Sequence, residues 1–472
     1  MPTVFGQSAW RGVHGACARR LCRWPSYGLV ALLLTGACAG PRGAVRQALY
    51  ARDYVRALAA YDELAEIEGH DDVVLGDVAR LYLTGEVRAD EARSRAAVLQ
   101  LRMLGRPGQA ALRRAVEEEF PGIGRALALK ALVDLGDESY VDALRAYVEA
   151  SEPALRALGL SALSSNDRAL ARFVEDDAPE VRRAAALRYG DGRDEDALPR
   201  LLALARDDPS SRVREGATRV LGSFGEDVSA ALVLRLSDPD AGVRLAAARS
   251  LLRADPAAAR RLLPSWLSSP PTRSSIEVAR VGILRSQPRA PRREADFGTR
   301  ELVAQAPFLD APQRDEAREH LFRALEGSDE ARRMQAAIAL VSLRSFERER
   351  IVRMVAVEEH DAVRFQLARA LEDTFADQAH EVMRAFLDGP ATMVRLQAAA
   401  TLSEEDEERA LVVLEETLAG DGPSVFRQVA ARALGRRGHR YAELRRYLDD
   451  RDPLVRIQAA GALASASSFP RL

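Results

Sequence analysis

From residue 41 onward, apolar residues recur three or four positions apart, and short segments rich in Asp, Gly, Pro and Ser break the pattern at intervals. Spacing of that kind places the apolar side chains on one face of an amphipathic helix. In the stretch 51–64, for example, Tyr54, Ala57, Leu58 and Tyr61 share a face. Runs of Val, Ile and Thr with period-two alternation are hard to find, so the pattern predicts helix after helix and no sheet.

One block returns many times. An acidic residue or glycine, often followed by Pro, precedes an apolar residue, an Arg, two variable positions, two small or apolar residues and a Leu. Asp238-Pro239 leads to Val243-Arg244, Ala247, Ala248 and Leu251, and Asp452-Pro453 leads to Val455-Arg456, Ala459, Ala460 and Leu463. The register arginines are Arg125, Arg156, Arg182, Arg214, Arg244, Arg333, Arg364, Arg395, Arg427 and Arg456. Subtraction gives separations of 31, 26, 32 and 30, then 89, then 31, 31, 32 and 29. The interval of 89 predicts two degenerate units, one of them containing Ile276 to Leu284. Each unit reads as two helices of about ten to twelve residues that cannot bury an apolar face alone, so units must stack and share a core. Asp before Pro predicts an N-cap followed by a pre-set first helical residue, and the Ala pair lets backbones approach. With layers about 8–10 Å apart, a dozen units make a superhelix roughly 100–120 Å along its contour.

This block resembles the short, roughly thirty-residue bacterial repeats of the HEAT family, a type also found in phycobilin lyases. The resemblance runs from about residue 88 to the C-terminus. It implies an all-α solenoid of stacked helical hairpins, in which acidic and arginine positions form a ladder between repeats. Arg214, Arg244, Arg364, Arg395 and Arg456 then have a structural role. Residues 51–64 resemble the middle of one tetratricopeptide repeat, and a lone unit of that kind implies a terminal cap or hairpin.

Residues 11–27 are basic without an acidic residue, residues 28–34 are apolar, and small residues follow to Gly40. That is the three-part pattern of an export signal, with an apolar part too short to span a bilayer. Leu34-Thr35-Gly36-Ala37-Cys38 resembles the lipobox of bacterial lipoproteins, which implies lipidation of Cys38. Thr35 departs from the Leu usual at that place. Cleavage after Ala39 without lipidation, and a cytosolic protein with a chance match, stay open beside it. Cys17, Cys22 and Cys38 are the only cysteines, so the repeats hold neither a disulfide nor a thiolate metal site.

Composition fits the same picture: 47% hydrophobic, 29% charged and only 6% aromatic, with Ala and Leu carrying most of the apolar content. A net charge of −2 argues against a general nucleic-acid binder. Lys130 is the sole lysine, as expected where a GC-rich genome substitutes Arg. No GxxxxGK[ST], HExxH or GxSxG motif occurs. His380-Glu381 resembles the iron-binding pairs of the HEAT-repeat deoxyhypusine hydroxylases, but that family uses several such pairs, and the expectation here is a surface histidine. The expected organisation is a leader at 1–38, a helical cap at 39–87, repeats at 88–252, degenerate repeats with a Pro/Arg-rich insertion at 253–325, and repeats at 326–472. The functional expectation is a non-catalytic scaffold of the bacterial cell envelope, without catalytic residue, cofactor or metal. It would bind a protein or peptide on an extended surface and sit at a membrane through a lipid on Cys38, facing the periplasm. The alternatives are a cofactor-attachment enzyme like the phycobilin lyases and a cytosolic scaffold.

Overall fold

The structure is a computed structural model. It describes residues 40–466, except 118, 121, 193–194, 287–308, 344–346, 373–374, 391, 403–407 and 437–440. The leader, Cys38 and most of the Pro/Arg-rich insertion lie outside the described residues.

Among the described residues every regular element is helical. A hairpin of α1 (Pro41–Tyr50) and α2 (Tyr54–Glu68) precedes twelve two-helix units. The first four units are α3 (Asp72–Glu86) with α4 (Glu91–Met103), α5 (Arg106–Val116) with α6 (Ile123–Asp134), α7 (Val141–Arg145) with α8 (Pro153–Gly159), and α9 (Leu170–Phe173) with α10 (Pro179–Gly192). The next four are α11 (Leu198–Asp207) with α12 (Ser211–Leu221), α13 (Ser229–Arg235) with α14 (Ala241–Ala254), α15 (Pro256–Ser268) with α16 (Arg273–Ser286), and α17 (Ala311–Glu326) with α18 (Glu330–Leu343). The last four are α19 (Arg348–Val357) with α20 (Asp361–Leu371), α21 (Ala376–Leu387) with α22 (Met393–Leu402), α23 (Glu408–Ala419) with α24 (Ser424–Arg436), and α25 (Tyr441–Arg445) with α26 (Pro453–Ala466).

Helix α14 shows why the block folds as it does. Asp240 caps it, its carboxylate accepting from the N–H of Gly242 at 2.8 Å and of Val243 at 3.1 Å. Val243, Ala247, Ala248, Leu251 and Leu252 are buried along it. Asp255 ends α14 and starts α15, accepting from the Ala258 N–H at 2.7 Å with Pro256 at the first turn. The capping expectation for Asp208-Pro209 and Asp238-Pro239 fails, however. Both acids lie two residues ahead of the true N-caps, Ser210 and Asp240, and serve another purpose described below.

Neighbouring second helices pack against each other all along the array, whereas neighbouring first helices barely meet. The second helices therefore form the inner, concave layer. Helices α16 and α18 pack directly, so among the described residues the interval between Arg244 and Arg333 holds one additional unit where the spacing predicts two.

The expected solenoid forms, and its two ends meet. Helix α26 packs on α3 and α4, and one apolar core draws buried residues from both ends of the array, among them Leu75, Leu83 and Leu101 with Leu434, Val455 and Leu463. Across the seam the Gln100 Nε2 donates to Gln458 Oε1 at 3.0 Å, and Arg456 Nε donates to the Tyr82 hydroxyl at 3.0 Å. Arg80 reaches the Ala464 carbonyl at 3.3 Å. Gly461 permits the approach, since a Cβ there would lie 2.1 Å from Gln100 Oε1. The α1–α2 hairpin overlies the seam: Arg445 Nε donates to Asp62 at 2.8 Å, and the Tyr54 hydroxyl donates to the Leu448 carbonyl at 3.4 Å. Twelve inner helices spaced about 9 Å apart enclose an opening roughly 20–25 Å wide. Among the described residues no helix packs across that opening.

Candidate functional site

The register arginines build the frame that holds the inner face. Arg156, Arg182, Arg214 and Arg333 each turn Nη1 back to two carbonyls of their own turn. Each presents the Nε–Nη2 edge to an acid of the next unit, respectively Asp176, Asp208, Asp238 and Glu358, at 2.8–3.4 Å. Arg427 grips Asp450 through Nη1 and Nη2. The five acids also accept the N–H of the residue two positions on. Each rung is thus a two-pronged, charge-assisted pair tied to two turns.

The other five arginines depart from this pattern. Arg244 keeps its two carbonyls, those of Asp238 and Pro239, but meets no forward acid among the described residues. Arg125 has Glu119 at 3.7 Å, Arg364 lies 5.8 Å from the Phe386 ring centre, and Arg395 bonds the Leu387 carbonyl at 2.9 Å. Arg456 meets Tyr82 across the seam. Burial pushes the Tyr82 hydroxyl up to about 12, against the opposing pull of Arg456.

The ladder makes stability depend on acid pH. Burial alone would raise Asp176 and Asp238, but the bonds from Arg156 and Arg214 and from backbone N–H groups outweigh it and hold both below the usual carboxylate range. A lowered carboxyl adds stability that is complete above its unfolded value, about 3.9, and lost as pH falls through the folded one. His320 is buried between the Leu267 carbonyl and Ser275 Oγ, and burial lowers it. Its contribution is complete above about pH 6.5 and fades below. The melting temperature should therefore decline gently below about pH 6.5 and steeply below about pH 4, as read by circular dichroism. His320→Gln should remove only the first part.

The inner face carries a groove of about 730 Å³ along α16, walled by α14 and α18. Leu245, Ile276, Met334 and Ile338 supply its apolar surface, and Ile338 is 51% exposed. Around them stand Arg244, Arg249, Arg273, Arg280 and Arg332 against Glu277 and Asp329. Glu277 accepts from Arg249 at 2.9 Å and from Arg280 at 2.7 Å, and Arg332 pairs with Asp329 at 3.2 Å. Burial would raise Glu277, but those two guanidiniums keep it below the ordinary glutamate range. A second inner groove, of about 370 Å³, spans α20, α22 and α24 and includes Arg369 and Arg432.

The resemblance implied a ladder for Arg214, Arg244, Arg364, Arg395 and Arg456, of which Arg214 alone makes the two-pronged rung among the described residues, and the groove was not read from the sequence. A partial signal was there: counted from the ten register arginines, the fifth position on is basic at five, Lys130, Arg219, Arg249, Arg369 and Arg432, and holds Ser161, Leu187, Ile338, Ala400 and Gly461 at the others. The reading of His380 as a surface histidine also fails, because it is 4% exposed, inside α21. Among the described residues no group of His, Cys, Asp and Glu is placed to hold a metal ion, and no helix is long and apolar enough to cross a membrane.

The family model for HEAT repeats matches residues 166–252 and 349–435. No curated protein sequence matches the chain significantly. Among solved structures, the chain is similar to human deoxyhypusine hydroxylase in complex with glycerol, at 21% identity over 71% of this chain and 98% of that one, with a TM-score of 0.22. The complex of CpcE and CpcF of phycocyanin lyase from Nostoc sp. PCC7120 shares 19% identity over 62% and 91%, with a TM-score of 0.24. UNC-45 from Drosophila melanogaster shares 14% over 89% and 64%, with a TM-score of 0.30.

Proposed function

We propose, from the premise that this chain is a HEAT-repeat protein, that it is a non-catalytic scaffold which holds a protein partner against the inner face of a closed ring. The observation that carries this reading is the groove along α16, where an exposed Ile338 sits among arginines on a concave wall. Single exposed apolar residues are common, but one inside a lined concavity has neighbours positioned to bury a ligand around it. The leader pattern extends the proposal: a lipid on Cys38 would tether the ring to a membrane of the bacterial cell envelope, since multiple acyl chains anchor a soluble body stably.

Two measurements test it. A photo-crosslinking amino acid at position 338 should trap a discrete protein partner in cells. The same group at Leu234, 66% exposed on the outer helix α13, should trap none. Equal yields at both positions, or none at 338, would sink the scaffold reading, and a purified chain carrying a tetrapyrrole absorbance band would replace it with cofactor attachment. Separately, a clickable fatty acid should label the wild type and leave Cys38→Ser unlabelled. Label on neither removes the envelope tether.

A further inference from the structure

We propose that Arg244 is the anion-gripping residue of the α16 groove, and that the groove takes an acidic peptide segment of the partner. A Glu or Asp side chain would lie on the free edge of Arg244 and an apolar side chain against Met334 and Ile338. This deepens the scaffold reading and rests on it.

The argument starts from the ladder. Arg156, Arg182, Arg214 and Arg333 divide their donors in one way, with Nη1 on their own turn and the Nε–Nη2 edge on the next unit's carboxylate. Arg244 is held in the same manner from behind, at 2.7 and 2.8 Å to the carbonyls of Asp238 and Pro239. In the next unit the acid's place falls to Ser269. Asp208 and Glu358 are the extended C-cap residues of α11 and α19, and Ser269 is the extended C-cap residue of α15. It carries no charge. Two positions further on stands Pro271, which lacks the N–H that each ladder acid accepts elsewhere. Arg244 therefore presents a pre-oriented, two-pronged edge that meets no carboxylate among the described residues, and it lines the groove.

Charge gives the same answer independently. The groove's two carboxylates are already engaged, Glu277 by Arg249 and Arg280, and Asp329 by Arg332. Arg244 and Arg273 are left without a carboxylate partner among the described residues. Arg125 and Arg364 each have Nε buried without a hydrogen bond, Arg395 spends its Nε on the Leu387 carbonyl with Glu416 at 3.8 Å from Nη2, and Arg456 spends its Nε on Tyr82, so none of the four offers an open edge. A guanidinium edge recognises a planar carboxylate through two parallel bonds, and the adjoining Met334 and Ile338 favour an apolar neighbour on the same ligand.

The test uses the full chain and a short fluorescein-labelled peptide of Glu, Leu and Ser, with a counterpart in which Lys replaces Glu. Anisotropy should show binding of the acidic peptide and not the basic one. Arg244→Ala should weaken it about tenfold or more, and Arg244→Lys should recover only part, having lost the fork. Ser269→Asp supplies the missing rung, so it should abolish peptide binding without lowering the melting temperature. Undiminished binding by Arg244→Ala or by Ser269→Asp overturns the proposal, as does equal displacement by inorganic phosphate, which would mark a bare anion site. If the partner trapped at position 338 is captured equally by both variants, the scaffold reading stands and this inference alone falls.

Discussion

Tyr82→Ala should lower stability by about 3–5 kcal/mol, the usual cost of truncating a buried aromatic residue to alanine. The reason for singling it out is where the damage will show. Tyr82 is buried, lies 4.8 Å from the Tyr54 ring between centres, and accepts the bond from Arg456. It thus joins α3, the hairpin over the seam and the last helix. In an open array, loss of one unit's packing spreads to its sequence neighbours. In the ring the effect jumps from residues 72–86 to residues 453–466. Hydrogen exchange should show amide protection falling in both segments together while α12 and α14 keep theirs. Small-angle scattering of the variant should shift from an annulus toward a longer curved rod. Loss of protection confined to residues 54–103 would mean that the ends do not meet in solution.

Asp238→Ala should cost about 3 kcal/mol, near the lower end for breaking a buried ion pair by removing one partner. Asp238 is 5% exposed and binds Arg214 through both oxygens, with Arg235 at 3.8 Å and the Asp240 N–H at 2.9 Å. Alanine would strand two guanidiniums whose side chains are largely covered and leave a turn unbonded. By contrast, Asp207→Ala, one residue before a ladder acid but exposed and paired with its neighbour Arg206, should leave stability almost unchanged. Urea unfolding of both variants checks the contrast. A double-mutant cycle with Arg214→Ala should recover a coupling of about 1–3 kcal/mol. Additive losses would mean that the rung carries no energy of its own and that the arginines recur for packing alone.

Much of this was legible in the chain. The apolar spacing and the recurring Val-Arg-x-x-Ala-Ala pattern define helix pairs through local rules, because a period near 3.6, a capping Asp and an Ala pair act within a few residues of one another. The roles of Arg214 and Arg244 differ for a reason that can also be read locally once the ladder is known, namely Ser269 with Pro271 in place of an acid followed by an N–H. One trace of the closure was present too. Helix α26 is buried along nearly its whole length, with Val455, Ile457, Ala460, Leu463 and Ala464 on several of its faces, whereas a terminal repeat of an open array needs a polar outer side.

What the sequence by itself determined is therefore the unit: two helices about thirty residues apart in repeat, stacked through small residues and tied by arginine to the next turn. What only the tertiary structure decided is how the units add up. Closing a ring of twelve units takes a turn of about 30° at each, and that angle is set by the summed fit of every interface and by no single block of residues. The contact that results, Arg456 on Tyr82, spans 374 positions of the chain. No local pattern reaches that far, and the groove along α16 faces inward only because the ring closes around it.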